Sequence, residues 1–330
     1  MPRQPRLDAP GVLHHVIARG IEYSKIFRTD TDRQDFLARV AALCDARAWI
    51  VYAWALLPTH FHLLVRTAQD SLPSSMRKLL TGYVVNFNRR HKRSGHLFQN
   101  RYKSILCEDE PYLLELTRYI HLNPLRAEVL SGLEELEAYP WTGHPALLGR
   151  VSRPWQATDA ILAYFGTHRR QATARYQKFV AEGVPLGRRP ELGGGGLVRS
   201  AGGWSQVLSM RRRGTRMASD PRILGDGHFV EELLTQAEER HRATLRIRNR
   251  VPHLNVLATQ VAAKAAVDLS AILSGSRSHL AASARRTLCH LAVKELGYTG
   301  AEVARFLGTT TSSVNRLAKE AELERVSQRK

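Results

Sequence analysis

The sequence predicts an α+β fold, an antiparallel sheet with helices on one face, over residues 8–150, followed by an all-α unit near the C-terminus. Three observations predict it. Short apolar runs at 12–18, 49–57 and 60–65 alternate with longer stretches of helical periodicity. Pro58-Thr59 breaks the second run, and the third resumes extended structure. After residue 270, amphipathic helical segments follow each other across glycine turns. The strand–helix order fits a ferredoxin-like or RRM-like sandwich.

Each element has a local reason. Residues 12–18 form a strand ended by Gly20. Thr31 or Asp32 caps a helix to Ala46 whose stripe is Phe36, Leu37, Val40, Ala41 and Cys44. Residues 49–57 (WIVYAWALL) read as a buried strand, and His60 to Val65 resumes extended structure. Ser71 to His91 is helical through Met76, Leu79, Leu80, Tyr83, Val84 and Phe87. A short strand, Ser104 to Cys107, precedes a helix opened by Asp109-Glu110-Pro111. That helix ends at Asn123-Pro124, because the residue before proline avoids helical geometry.

Residues 151–265 read as a connector. Its first part, 151–180, is helical, and a Gly/Arg-rich stretch follows with Gly193 to Gly196, Arg199, Arg211, Arg212, Arg213, Arg216 and Arg222. Residues 266–325 form the last unit. Ser283 to Leu296 is an amphipathic helix ended by Gly297, and Thr299 and Glu302 make a capping box for Ala301 to Leu307. Gly308 turns the chain, and Thr311, Ser312 or Ser313 caps a final helix. This is a helix-turn-helix pattern with Thr310, Thr311, Ser312, Ser313, Asn315 and Arg316 toward a DNA groove.

The net charge is +19, carried mostly by arginine, whose forked guanidinium suits phosphates. A polyanionic partner is the natural inference. The three cysteines, Cys44, Cys107 and Cys289, lie far apart, so no disulfide framework or cysteine zinc site is expected. The N-terminal residues lack an apolar leader core, and no run of about 18 apolar residues occurs. A cytoplasmic protein without membrane contact, monomer or homodimer, is expected.

His60 and His62 stand two apart on a strand and so share a face, as neighbouring metal ligands must. Tyr119 shares a helix face with Tyr112, Glu115 and Asn123. The Asn123 amide oxygen is a hard ligand that completes a His-His-Asn set for Mg²⁺ or Mn²⁺. A tyrosine at such a cation can attack a phosphodiester. The segment with Arg89, Arg90, Lys92, Arg93, Phe98, Arg101, Tyr102 and Lys103 suits single-stranded DNA, with Phe98 and Tyr102 serving either as stacking platforms or as core residues.

The stretch Ala53 to Leu64, with His60-Phe61-His62 at its centre, resembles the histidine–hydrophobic–histidine core of single-tyrosine transposases of the IS200 type. Asn88-Arg89-Arg90, Gly95 to Lys103 and Arg118 to Ala127 extend the resemblance, closest to the branch associated with repetitive extragenic palindromes. It implies a divalent metal on His60 and His62, Tyr119 as nucleophile, and single-stranded DNA with hairpins as substrate. Insertion-sequence members carry glutamine where this chain has Asn123. Residues 270–320 resemble the DNA-binding domain of the bacterial chromosomal replication initiator, through Arg285-Arg286, Leu291 to Leu296 and Ser312-Ser313-Val314. Duplex DNA binding through this part is implied.

The expected function is therefore a metal-dependent single-stranded DNA endonuclease and strand transferase that works through a 5′-phosphotyrosine. The alternatives are a domesticated nucleic-acid-binding regulator without turnover, and a metal-dependent nuclease that uses water.

Overall fold

The structure, a computed structural model, describes residues 7–68, 71–187, 189–193, 218–250, 252–276 and 278–327. Gly194 to Gly196, Arg199, Arg211, Arg212, Arg213 and Arg216 lie outside the described residues. The chain divides into two compact units, residues 1–237 and 238–330.

The first unit is built on a five-stranded sheet in the order β2-β3-β1-β4-β5. The strands are β1 (Leu13–Arg19), β2 (Trp49–Leu57), β3 (His60–Thr67), β4 (Lys103–Cys107) and β5 (Ile223–Leu224). β1 to β4 pair antiparallel, and β5 joins β4 in parallel, a strand the sequence did not announce. Helices α1 (Asp30–Asp45) and α2 (Leu72–Arg90) bury Phe36, Val40, Met76, Leu79, Tyr83 and Phe87 against Phe61, Leu63 and Val65. Helix α3 (Asp109–His121) buries Leu113, Leu116 and Ile120 against Leu13, Ala55 and Leu64 on the opposite face. The α+β class holds, but helices cover both faces rather than one. The reason is legible in β2, whose residues are buried at every position but Ile50. A strand apolar on both sides needs cover on both.

Local contacts fix the ends of these elements. Helix α1 is capped by Thr29 rather than by Thr31 or Asp32. Thr29 and Asp32 close a capping box, with Thr29 N–H donating to Asp32 Oδ2 at 3.0 Å. Asp32 also accepts from Arg90 and from His91 Nε2, which ties the start of α1 to the end of α2. Burial opposes its charge, but these donors and the Thr29 and Arg28 N–H groups hold the carboxyl below the usual range. After α3, Pro124 does not end helical structure but sits in the first turn of α4 (Asn123–Arg126), where its missing N–H costs nothing.

The following short helices are α5 (Leu133–Ala138), α6 (His144–Leu147) and α7 (Thr158–Leu162), and then comes α8 (Arg169–Glu182). The segment around 141–157 runs along the outer edge of β2. Leu56 N–H donates to Trp141 O at 2.9 Å and Ala157 N–H to Val51 O at 2.8 Å. This covers a strand edge that would otherwise stand open. Ile161, Leu162, Tyr176 and Val180 join the core under α3. The expected boundary at 150 is therefore displaced: 151–187 belong to the sheet unit. Helix α9 (Gly227–Arg250) contributes Val230 and Leu233 to a small cluster with Leu106 and Ile223.

The second unit holds α10 (Leu254–Lys264), α11 (Leu269–Leu273), α12 (His279–His290), α13 (Gly300–Phe306) and α14 (Thr311–Ser327). Leu257, Val261, Leu288, Val303, Val314 and Ala318 share one core, so this unit starts before residue 266. α12 begins earlier than Ser283, capped by Ser278, and runs into a π-helical turn at Leu291–Glu295. The Thr299–Glu302 capping box forms as expected. At α14 the capping hydroxyl is that of Thr310, which accepts from Ser313 N–H at 3.2 Å. Gly300 permits a close crossing of α13 and α14, since a Cβ there would lie 2.7 Å from Asn315 Oδ1.

Candidate functional site

Strand alternation sets the site. On β3, His60, His62 and Leu64 face α3, while Phe61, Leu63 and Val65 face α1 and α2. On β1, Ile17 is the cross-strand partner of His62, and His15 lies diagonally beside it on the same face. Tyr119 comes down from the last turn of α3. Its ring meets the His62 ring edge-on, with centroids 6.0 Å apart and planes at 81°. The His15 ring is likewise 6.0 Å away, and the rings of His60 and His62 are 5.2 Å apart. Three histidines and one tyrosine therefore form a single cluster.

A hydrogen bond orders it. His15 Nε2 and His62 Nδ1 are 2.9 Å apart in a buried setting. Burial pushes His15 down to about 4, against the pull of the Leu192 carbonyl. Burial also pushes His62 far down, helped by the neighbouring His15, His60 and Arg19. Burial and then the Arg19 charge bring His60 to about 4. All three are neutral near pH 7, so one nitrogen of the His15–His62 pair donates and the other accepts. The bond occupies His62 Nδ1 and leaves its Nε2 for a ligand. His60 Nδ1 pairs with Thr59 Oγ1 at 3.1 Å, which leaves its Nε2 open as well.

A cleft of about 560 Å³ opens at this cluster. Its walls include His60, Tyr119, Asn123, Tyr23 and the cations Arg19, Arg126 and Arg189. Asn123 Nδ2 donates to Tyr119 O at 2.9 Å, so the amide is oriented by its donor end and its oxygen is the end left for a cation. The Arg126 guanidinium stands 5.2 Å from the Tyr119 ring centroid and also donates to Tyr119 O. Two neutral imidazoles and an amide oxygen form a donor set that suits a divalent cation with open positions. Among the described residues no group of three or more His, Cys, Asp or Glu side chains is arranged to hold a metal ion, so a cation here would rest on the two imidazoles and the amide oxygen.

The floor behind Tyr119 is a buried polar network. The Tyr176 hydroxyl lies 2.8 Å from His121 Nδ1 and 2.7 Å from His144 Nδ1. Burial keeps both imidazoles neutral, His144 pushed down to about 4. Gly183 lets the end of α8 approach α3, because a Cβ there would lie 2.6 Å from Arg118 Cδ. The backbone on either side of His121, which carries Tyr119 and Asn123, is thus held from behind.

The expected residues separate into groups. His60, His62, Tyr119 and Asn123 come together. Arg89, Lys92 and Arg101 are exposed, whereas Arg90 is engaged with Asp32 and Asp35. Arg93 bonds Asn88 Oδ1 and His96 O, and Lys103 bonds Gly193 O. Two expectations need correction. Tyr102 is buried and Phe98 half-buried against Phe61 and Tyr83, so neither ring is a free stacking face. Arg285 donates to Ile272 O, Ala271 O and Ser276 O at 3.0–3.1 Å, so its fork closes the end of α11 rather than facing DNA. Arg286 is half-buried on α12. Thr311, Ser312, Asn315 and Arg316 are exposed, and Ser313 is half-exposed. Arg316 pairs with Glu320 at 3.2 Å.

Sequence reading missed His15, Arg19, Tyr23, Arg126 and Arg189. Period-two alternation marks His15 as facing with Leu13 and Ile17, and Arg126 stands seven residues after Tyr119. Nothing in the sequence points to Arg189, which arrives from after α8.

The fold and cleft define an α+β domain with a histidine–tyrosine cluster at a basic opening. Residues 10–123 match the model of the family described as "Transposase IS200 like", a span that contains the sheet strands β1 to β4, the histidines and Tyr119. The chain is also similar to a solved structure described as "Structure of the REP associates tyrosine transposase bound to a REP hairpin". Identity is 16%, 47% of this chain and 90% of that chain are covered, and the TM-score is 0.38. No curated protein matches. No helix among the described residues is long and apolar enough to cross a membrane.

Proposed function

We propose that the protein is a metal-dependent, single-tyrosine DNA strand transferase that cuts single-stranded DNA at hairpin-flanked sites. The observation that carries the reading is the Tyr119 ring, which lines one cleft with His60, Asn123 and three arginines and packs edge-on against the buried His62 behind it. The Tyr119 oxygen attacks phosphorus, an O–P bond forms, and the P–O3′ bond breaks. The 3′ oxygen leaves as a hydroxyl, taking up the proton the phenol gives up. The product is a 5′-phosphotyrosine and a free 3′-OH. Attack by the 3′-OH of another strand reverses the balance and joins that strand without ATP.

His60, His62 and Asn123 would hold Mg²⁺ or Mn²⁺, which supplies polarisation of a non-bridging phosphate oxygen and offsets developing charge. Arg126 and Arg189 bring positive charge to the same opening, and the neutral histidines keep lone pairs for a ligand at physiological pH. The second unit adds duplex DNA affinity through the exposed face of α14, with Thr311, Ser312, Asn315 and Arg316 as the contacting residues.

The test incubates full-length protein with end-labelled single-stranded hairpins from the flanks of its own gene, with Mg²⁺ or Mn²⁺, and resolves the products on a denaturing gel. A labelled covalent species lost in Tyr119→Phe, and lost in His60→Ala or His62→Ala, supports the reading. Tight hairpin binding without an adduct under either metal turns it to a binding regulator. Cleavage that persists in Tyr119→Phe without an adduct turns it to a water-using nuclease.

A further inference from the structure

Two tyrosines line the cleft, and the strand-transfer reading uses only one of them. The other, Tyr23, is 65% exposed on the short turn after β1. A single exposed aromatic ring is ordinary on a protein surface. The backbone beneath this one is not. Glu22 (φ 50°, ψ 35°) and Tyr23 (φ 58°) are consecutive residues in the left-handed region, and neither is glycine, asparagine or aspartate. Such a pair persists only where the surroundings enforce it.

The surroundings do enforce it. Gly20 N–H donates to Thr59 O at 2.8 Å, Ile21 N–H to Leu97 O at 3.0 Å, and Ile26 N–H to Pro58 O at 2.8 Å. Ser24 N–H closes the turn on Ile21 O at 2.8 Å. Gly20 is required by this closure, since a Cβ there would stand 2.1 Å from Ser24 O. The turn is thus pinned to the β2–β3 corner that carries Thr59 and His60. The ring it presents has the Arg19 guanidinium 5.0 Å from its centroid, and Arg19 lines the cleft too.

An aromatic face beside a guanidinium, both at the mouth of a basic cleft, is the combination that holds unpaired bases: the ring stacks on the base and the cation attends the phosphate. Phe98 and Tyr102 are engaged in the core and leave this role open. We propose that Tyr23 is a stacking platform that seats one nucleobase of single-stranded DNA next to the phosphate presented to Tyr119. This rests on the strand-transfer reading for the identity of the strand, and it assigns a base subsite to the cleft.

The test compares full-length wild type with Tyr23→Ala, Tyr23→Phe and Tyr23→Trp. The probe is a single-stranded oligonucleotide spanning the cut site, with 2-aminopurine placed at successive positions, in EDTA so that no cleavage occurs. Wild type should change the fluorescence at one position through stacking. Tyr23→Ala should abolish that signal and weaken binding about tenfold, whereas the Phe and Trp variants should keep both. Wild-type affinity and signal in Tyr23→Ala would overturn the proposal, as would the absence of any stacking signal in wild type. A loss in Tyr23→Phe equal to that in Tyr23→Ala would overturn it in favour of a role for the hydroxyl. Failure of the strand-transfer reading shows separately, as no wild-type adduct with metal while the EDTA binding difference remains.

Discussion

Acid should unfold the first unit well above the pH at which carboxylates titrate, because it buries neutral histidines. His14, His15 and His144 are at most 1% exposed, and burial pushes each from 6.5 to about 4. The sign follows from proton counting. Between about pH 6.5 and pH 4 the unfolded chain takes up a proton at each of these residues and the folded chain does not, so stability falls as pH falls and is fully present above 6.5. Each contributes a loss of about 2 kcal/mol by pH 5 and about 3 kcal/mol by pH 4. Three together remove about 6 kcal/mol by pH 5, which is comparable to the whole stability of a typical domain. His62 and His121, pushed down further by burial, add to the same direction. The assay is urea unfolding followed by tryptophan fluorescence. The tryptophans among the described residues, Trp49, Trp54, Trp141 and Trp155, all belong to this unit, and the second unit has none, so the signal follows the first unit. Between pH 6 and pH 5 the unfolding free energy should drop by about 4 kcal/mol. A midpoint unchanged from pH 7.5 to pH 5 would refute the argument. So would a loss confined to pH below 4, which would assign it to carboxylates such as Asp32, whose shift is downward.

Four further outcomes follow from individual contacts. Replacing the ring partner of His62 with His15→Phe should weaken Mn²⁺ binding roughly 10- to 100-fold while hairpin binding in EDTA is unchanged, because the substitution frees His62 to turn. Partial recovery in His15→Gln, read by Mn²⁺ titration, would separate orientation from packing. Tyr176→Phe should cost the first unit about 1–3 kcal/mol in urea unfolding by leaving buried imidazole nitrogens without their shared hydroxyl. In the second unit, Arg285→Ala should lower thermal stability by about 2–3 kcal/mol through three lost carbonyl contacts. By contrast, Arg316→Ala should leave stability within about 0.5 kcal/mol and reduce the salt dependence of duplex binding by roughly one unit of slope.

What the sequence made legible was what depends on local period. Two residues on a strand share a face whatever the strand pairs with, so His60 and His62 could be read together before any partner was known. Tyr119 and Asn123 stood near each other by chain proximity, and the short turn at Leu122 that separates their helices does not part them in the cleft. His15 escaped because its meaning is a register: it matters only once Ile17 lies across from His62, and that pairing joins strands from opposite ends of the βαββ segment. The basic-aromatic stretch misled for a related reason. Composition says that Phe98 and Tyr102 are aromatic and near arginines, but not which way they turn. The bridge between Gly20 and Phe98 brings this segment against β1, where Phe98 packs on the α1/α2 core. That same bridge helps to pin the turn that puts Tyr23 outward. One contact thus withdraws the aromatic ring the sequence nominated and supports the ring it passed over, so the stacking surface was encoded in the pairing of distant segments rather than in either segment alone.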